Sequence, residues 1–259
     1  TIDLFAQPVT RLVAGWVGEG VCMCQSGGDH LTKLVFDEER ETFRNAAETR
    51  VPGAGGMQLI YGNPPGGVKS EDTDSLSASA LVLTAGKGLK ILDVRDLSEL
   101  GGQADVYGHR CTDMAFVPAS ASNLLKTPPD ATLLLTSGDD AKGGNAIVKL
   151  HQLNWTLSPN NAPRPVLEEL RRYEMLATVT PLSEYPACLV SNGRYAMRAV
   201  NTQLYVWNLD TQQLTAIVQH ENGCTFTSMV LHPAHKTLLM GALTGQIECY
   251  RQYASPPQA

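Results

Sequence analysis

Basic charge is scarce in this chain. It carries 20 Lys and Arg against 26 Asp and Glu, a formal net charge of −6 over 259 residues. A broad nucleic-acid surface needs clustered cations, so this balance argues against direct contact with nucleic acid. The longest basic run, Arg171-Arg172, stands beside Glu168, Glu169 and Glu174 and reads as a solvated patch. Cysteine is sparse as well. Six cysteines in a chain of this length do not make a disulfide framework, and a chain this long buries enough surface to do without one. Long apolar runs are missing, so no segment is expected to span a membrane. No secretory leader is visible in these residues, and the expected location is intracellular, cytoplasmic or nuclear.

Motifs that carry chemistry are missing too. The sequence has no G-x-S-x-G, no H-E-x-x-H and no G-x-x-x-x-G-K-[ST]. The glycine-rich stretches GGDH and GDDAKGG lie between two strand-like runs and not before a helix, so neither cradles a phosphate. Asp139-Asp140 belongs to a turn. Cys22 and Cys24 form a C-x-C with His30 nearby, but a zinc site takes four ligands and no second pair completes it. These two, like Cys111, Cys188 and Cys224, read as small core residues. The expectation is a protein that is not an enzyme and holds no metal and no cofactor.

What the sequence does have is a recurrence. The strand-like run LYVWNL, Leu204 to Leu209, follows the pattern apolar, any, apolar, large, polar, apolar. LKILDV (Leu89 to Val94) and VKLHQL (Val148 to Leu153) follow it too, IECYRQ (Ile247 to Gln252) follows it in all but the last position, and KLVFDE (Lys33 to Glu38) follows it loosely. The large position then falls at Phe36, Leu92, His151, Trp207 and Tyr250, at intervals of 56, 59, 56 and 43 residues. Each copy follows an apolar run and a polar turn, among them VCMCQSGGD, ALVLTAGKG and YAMRAVNT. Gly, Asn and Asp in those turns allow the positive φ that tight hairpins need. A further apolar strand precedes each run, as in TRLVAGW, MQLIYG, TDMAFVP, ACLVSNG and TFTSMVLHP. A weaker fourth strand follows at DVYGH, MLATVTP and TAIVQH. Four antiparallel strands per unit, repeated, make an all-β chain and the blades of a β-propeller.

At this point the chain resembles the WD-repeat β-propeller family. YGHRCTDMAFVP is similar to that family's Gly-His dipeptide and innermost strand, YVWNLDTQQL to the end of its third strand, and SGDD to its Ser-Gly and Asp turn. The resemblance implies a single propeller over 1–259, with units near 8–45, 55–108, 110–182, 186–220 and 224–253. It also implies a structural hydrogen-bonded set of His109, Ser137 and Asp139, with His151 in the place of the Trp. Its implied function is a non-enzymatic scaffold, a subunit or adaptor that binds other proteins in a multi-subunit complex; the alternative is a reader of a modified peptide or of RNA within a larger assembly. Partners would dock on the narrower face, at Arg11, Arg110, Asp139, Thr225 and Phe226.

Lengths add detail. A blade of this family takes about 40–45 residues, so the longer intervals call for insertions. Those expected are Asn63 to Ser79, Ala119 to Ala131 and Thr156 to Glu174, the last with a short helix from Pro165 that presents Val166, Leu167 and Leu170 on one face. Thr1 to Phe5 is expected as a closing strand beside Ile247 to Tyr253, and further blades are expected to be degenerate or to lie outside these residues. Leu204, Val206, Leu89, Ile91, Val148, Leu150, Ile247 and Cys249 are expected in the blade cores.

Overall fold

The structure is a computed structural model. It describes residues 11–17, 20–27, 29–61, 78–118, 121–128, 131–140, 146–157, 159, 163–174, 188–232 and 237–251. The stretch Thr1 to Phe5, and with it the closing strand, lies outside them.

Among the described residues nineteen strands form five antiparallel sheets, and within each sheet the strands lie side by side in chain order. The first holds β1 (Arg11–Val17), β2 (Gly20–Gly27), β3 (His30–Asp37) and β4 (Thr42–Arg50). The second holds β5 (Ala54–Tyr61), β6 (Ala78–Ala85), β7 (Gly88–Asp93) and β8 (Glu99–Gln103). The third holds β9 (Arg110–Phe116), β10 (Thr132–Asp139), β11 (Ala146–Leu157) and β12 (Pro163–Glu174). The fourth holds β13 (Cys188–Ser191), β14 (Tyr195–Val200), β15 (Gln203–Asn208) and β16 (Leu214–Gln219). The fifth holds three described strands, β17 (Phe226–His232), β18 (Thr237–Ala242) and β19 (Ile247–Arg251). The first strand of each sheet packs on the first strand of the next, β1 on β5, β5 on β9, β9 on β13 and β13 on β17. The sheets therefore radiate from a common axis with their first strands innermost, as the blades of a β-propeller do.

Burial explains why the sequence reads as near-continuous apolar runs. Side chains of a strand alternate between its two faces, and a middle blade is covered on both. In β10, Leu133 and Leu135 face the fourth sheet and meet Leu189, Ala196 and Trp207, while Leu134 faces the second and meets Ile91 and Val82. Four such apolar junctions stand between the five sheets. Leu89, Ile91, Val148, Leu150 and Leu204 are buried in them as expected, and Val206 is half-buried against the last. Ile247 and Cys249 differ. Ile247 is 76% exposed and Cys249 is exposed, because their side chains lie on the outer face of the fifth sheet, away from the fourth.

The pairing also corrects the register of the first blade. Leu92 stands four residues after Gly88, and Trp207 four after Gln203, where those residues close the turn between second and third strands. The corresponding pair in the first sheet is Gly27 with His30, which puts Leu34, not Phe36, in the large position. Leu34 is buried and Phe36 is 37% exposed. A bulge marks the same place in four blades, beside Leu34, Leu92, His151 and Trp207.

A second correction concerns Thr156 to Glu174. No helix forms there. Pro163–Glu174 is the fourth strand of the third blade, paired along β11 from Leu157↔Pro163 to Ile147↔Glu174. The bulge is the reason that the spacing imitated a helix. Leu170 is the extra residue opposite Leu150 and His151, so Leu167 before it faces the second blade while Leu170 and Tyr173 after it face the fourth. The open edge of β11 needs partners for its backbone groups, and that need outweighs the helical preference of Leu-Glu-Glu-Leu. The second blade likewise takes its fourth strand from Glu99–Gln103 and not from the DVYGH stretch. Of the other insertions, residues 62–77 lie outside those described. The stretch after Val117 folds back as a single helical turn, α1 (Ser122–Leu125), with Ala121 and Leu125 buried in the third junction.

Candidate partner-binding face

The turns between second and third strands and the connections between blades gather on one face, and backbone hydrogen bonds join them. Val51 N donates to Asp29 O at 2.7 Å, Tyr107 N to Lys87 O at 3.0 Å, and His220 N to Thr202 O at 2.8 Å. In each case the connection leaving a blade bonds to the second residue of that blade's own turn. The first turn residue then accepts from the next blade: Cys111 N donates to Gly86 O at 2.7 Å and Phe226 N to Asn201 O at 2.8 Å. Gly86 and Asn201 hold φ of 57° and 52°. That left-handed conformation aims their carbonyls across the junction, and Gly and Asn adopt it at low cost.

The expected site residues separate on this face. Arg110 is accessible, its side chain 43% exposed, and Nε donates to Asp139 Oδ2 at 3.1 Å. Asp139 itself is buried and serves as the anchor of that cation, so it offers a partner nothing directly. Thr225 is half-buried, and its carbonyl accepts from Leu243 N at 2.9 Å. Phe226 is 3% exposed, packed beside the His220 ring and among Leu238 and Met240. It is a junction residue and no anchor for a partner. Arg11 begins β1, and its side chain is outside the described set. Turn residues that the sequence reading passed over, Lys87, Asp140 and Leu243, are exposed on the same face; Asp140 pairs with Arg172.

The hydrogen-bonded set expected around His109 does not form. His109 contributes its backbone N–H, to Asp139 O at 2.9 Å, and Ser137 Oγ lies 3.1 Å from Thr112 Oγ1. The buried chain runs instead from Tyr107 OH to Thr136 Oγ1, 2.9 Å, and on to His151 Nε2, 3.0 Å. Lys149 closes it from the side. Its Nζ donates to Val106 O at 2.6 Å, lies 4.8 Å from the Tyr107 ring centroid and reaches Glu169 Oε2 at 3.1 Å. Burial pushes the His151 ring down to about 4, which keeps it neutral, and pushes the Tyr107 hydroxyl well up. The signal for Tyr107 was present in the sequence: like His220, it ends the connection that leaves a blade.

The next junctions hold more polar groups. Arg198, fully buried, sends Nη1 to Ile147 O at 3.1 Å and Gly138 O at 3.4 Å, with Asp139 and Asp113 as the nearby anions. Burial lowers its basicity and those carboxylates act against the shift. Trp207 Nε1 donates to Glu174 O at 3.3 Å. His220 accepts from Asn222 N at Nδ1, 3.0 Å. Its Nε2 lies 3.1 Å from Glu248 Oε1, off the line of a hydrogen bond. Tyr250 OH donates to the other oxygen of Glu248. Among the described residues no group of three His, Cys, Asp or Glu side chains comes together as a metal site, and no helix is long and apolar enough to cross a membrane.

Five radiating sheets with stitched turns are a known arrangement. The chain is a β-propeller in fold. It is similar to the β-propeller domain of Cps50 (Swd1) from Myceliophteria thermophila, with a TM-score of 0.54 at 14% identity, over 95% of this chain and 84% of that one. In all, 747 solved chains match, so the likeness defines an architecture and not an activity. No protein-family model and no curated protein matches the sequence.

Proposed function

We propose that this propeller is a non-enzymatic interaction scaffold, a subunit or adaptor that holds other proteins on the face bearing Arg110. The observation that carries this reading is the division of labour among its polar groups. His151, His220, Asp139 and Arg198, the buried groups with chemical capacity, each make one or more contacts at the junctions between blades and are closed off from solvent there. Asp139 Oδ1, His151 Nδ1, His220 Nε2 and Arg198 Nε and Nη2 nonetheless have no hydrogen-bond partner among the described residues. The exposed groups stand on turns held in place from blade to blade by backbone hydrogen bonds. A rigid frame that presents variable turns suits recognition.

On a chain of net charge −6, Arg110 is a cation at the rim, already oriented by Asp139. An acidic segment of a partner protein is the ligand it fits, and Arg is among the residues that dominate binding energy at interfaces. Arg11, at the equivalent start of β1, is proposed beside it. The test is Arg11→Ala with Arg110→Ala, followed by affinity purification and melting temperature on the same sample. Some loss of stability is expected, because Arg110 is the ion-pair partner of buried Asp139; loss of co-purifying proteins at a temperature where the variant is still folded supports the reading. Retention of every partner ends it.

A further inference from the structure

Each of the first four sheets ends in an outer strand, β4, β8, β12 or β16, that has a neighbour on one side only among the described residues. Three of these open edges are guarded. β4 carries Arg44, Glu48 and Arg50. β8 is five residues long, with Glu99 at its start and Gly101-Gly102 inside it. β12 carries Pro163, Pro165 and the charges of Glu168, Glu169, Arg171 and Arg172. Shortness, charge, Gly and Pro all keep an open sheet edge from pairing. The fourth edge has none of those residues. β16 reads Leu-Thr-Ala-Ile-Val-Gln, without Lys, Arg, Asp, Glu, Gly or Pro. Thr215, Ala216, Ile217 and Gln219 are exposed, Ile217 by 50%. β15 beside it has no charged residue either. The nearest charges along the chain, Asp210 and Glu221, lie beyond the two ends of β16, and Asp210 already faces Arg171 at 3.8 Å. Residues of an edge strand bond inward and outward by turns, and no described strand meets the outward N–H and C=O groups of β16.

We propose that two copies of this chain pair along β16, antiparallel about a two-fold axis, so that the two four-stranded fourth blades join into one continuous sheet. The backbone sets the chemistry, because an open edge is completed by another extended strand. The guards select the occupant. The β4, β8 or β12 of a second copy would bring charges, glycines or prolines against β16, whereas its β16 brings none of them. Two copies of net charge −6 therefore meet here through strands that carry no charge. Antiparallel pairing with its own copy also makes the edge self-complementary, so no second surface is needed. The exposed part of Ile217 leaves water in both copies. One six-residue strand from each copy is a small contact, so the dimer is weak and depends on concentration. The Arg110 face plays no part in it, and Arg11→Ala with Arg110→Ala should dimerise as the wild type does.

The experiment is sedimentation of the whole chain from about 1 μM to about 1 mM. The samples are the wild type, Ile217→Lys, Ile217→Glu and an equal mixture of those two variants. Ile247→Lys is the control, an exposed apolar position away from this edge. Ile217 is half exposed on an outermost strand, so at low concentration both variants should melt as the wild type does. The expected result is a reversible wild-type dimer, weakened about tenfold or more by either charge alone, because the axis brings like charges together. The mixture should regain association, since opposite charges then meet across the axis. Ile247→Lys should leave the dimer unchanged. A wild type that stays monomeric across the series overturns the proposal. So does a dimer indifferent to both charges at Ile217, a mixture no tighter than either variant alone, or a dimer that Ile247→Lys dissolves as well. A large fall in the melting temperature of the dilute variants would also overturn it, by showing that the edge is covered within one chain.

Discussion

Tyr107 and His220 occupy the same place in two different blades. The backbone N–H of each donates to the second residue of the turn in the blade it leaves, Lys87 at 3.0 Å and Thr202 at 2.8 Å. Both side chains then turn inward and are buried. Val51 holds that place in the first blade through Asp29, and its side chain is apolar and buried. The position therefore demands a side chain that fills the junction. Where that side chain is polar it finds a partner, Thr136 on β10 for Tyr107 and, in the turn that follows, the N–H of Asn222 for His220.

Substitution at Tyr107 should separate filling from hydrogen bonding. Tyr107→Phe keeps the ring and loses the contact with Thr136, at an expected cost of about 1–2 kcal/mol. Tyr107→Ala leaves a cavity under Lys149 and Met114, with an expected cost of about 3–5 kcal/mol. Urea unfolding of the two variants checks the order; equal losses would refute the division.

The buried His151 predicts a pH dependence. Its folded value is lowered to about 4 from an ordinary 6.5, with burial as the main cause. The unfolded chain therefore binds the proton more readily than the folded one, and stability rises with pH between those values. The contribution is complete above pH 6.5 and is lost as pH falls toward 4, on the order of 3 kcal/mol in all. His151→Gln should flatten that part of the curve when melting temperature is followed against pH.

Gly138 and Gly223 should respond differently to alanine. A Cβ on Gly138 would lie 2.4 Å from the Arg110 carbonyl and 2.6 Å from the Tyr107 ring, inside the stitched face. Gly138→Ala should cost about 2–3 kcal/mol through overpacking and disturb the Arg110 turn as well. Gly223 is open on all sides but holds φ +65°, so Gly223→Ala should cost only about 1 kcal/mol. Thermal denaturation of the two variants decides the ranking.

Arg198 allows a test of how the third and fourth blades are held. Arg198→Ala removes the donor to Ile147 and Gly138 and leaves Asp139 and Asp113 facing a void. A loss of about 3–5 kcal/mol is expected. Arg198→Met, which refills the volume, should recover part of it. A stability unchanged in Arg198→Ala would show that the buried charge contributes nothing at this junction.

The alternation of apolar residues and the fivefold recurrence of LYVWNL-like strands were legible in the chain itself. Both are local: a strand covered on two faces must be apolar on two faces, and a turn that needs positive φ selects Gly or Asn wherever it occurs. What only the tertiary structure decided lies at the bulges and the ends. A bulge beside Leu34, Leu92, His151 and Trp207 breaks the period of two. It shifted the first blade by two residues in the reading and gave Pro163–Glu174 the spacing of a helix. Whether an apolar residue is core depends on which sheet stands beyond it. Phe226 has the fourth blade against it and is buried; Ile247 has no described neighbour against it and is not. Arg110 stayed accessible and Asp139 did not for a related reason. A strand's end residue faces solvent or a neighbour according to how the next blade packs, and that packing is a property of the assembled sheets and not of either strand alone.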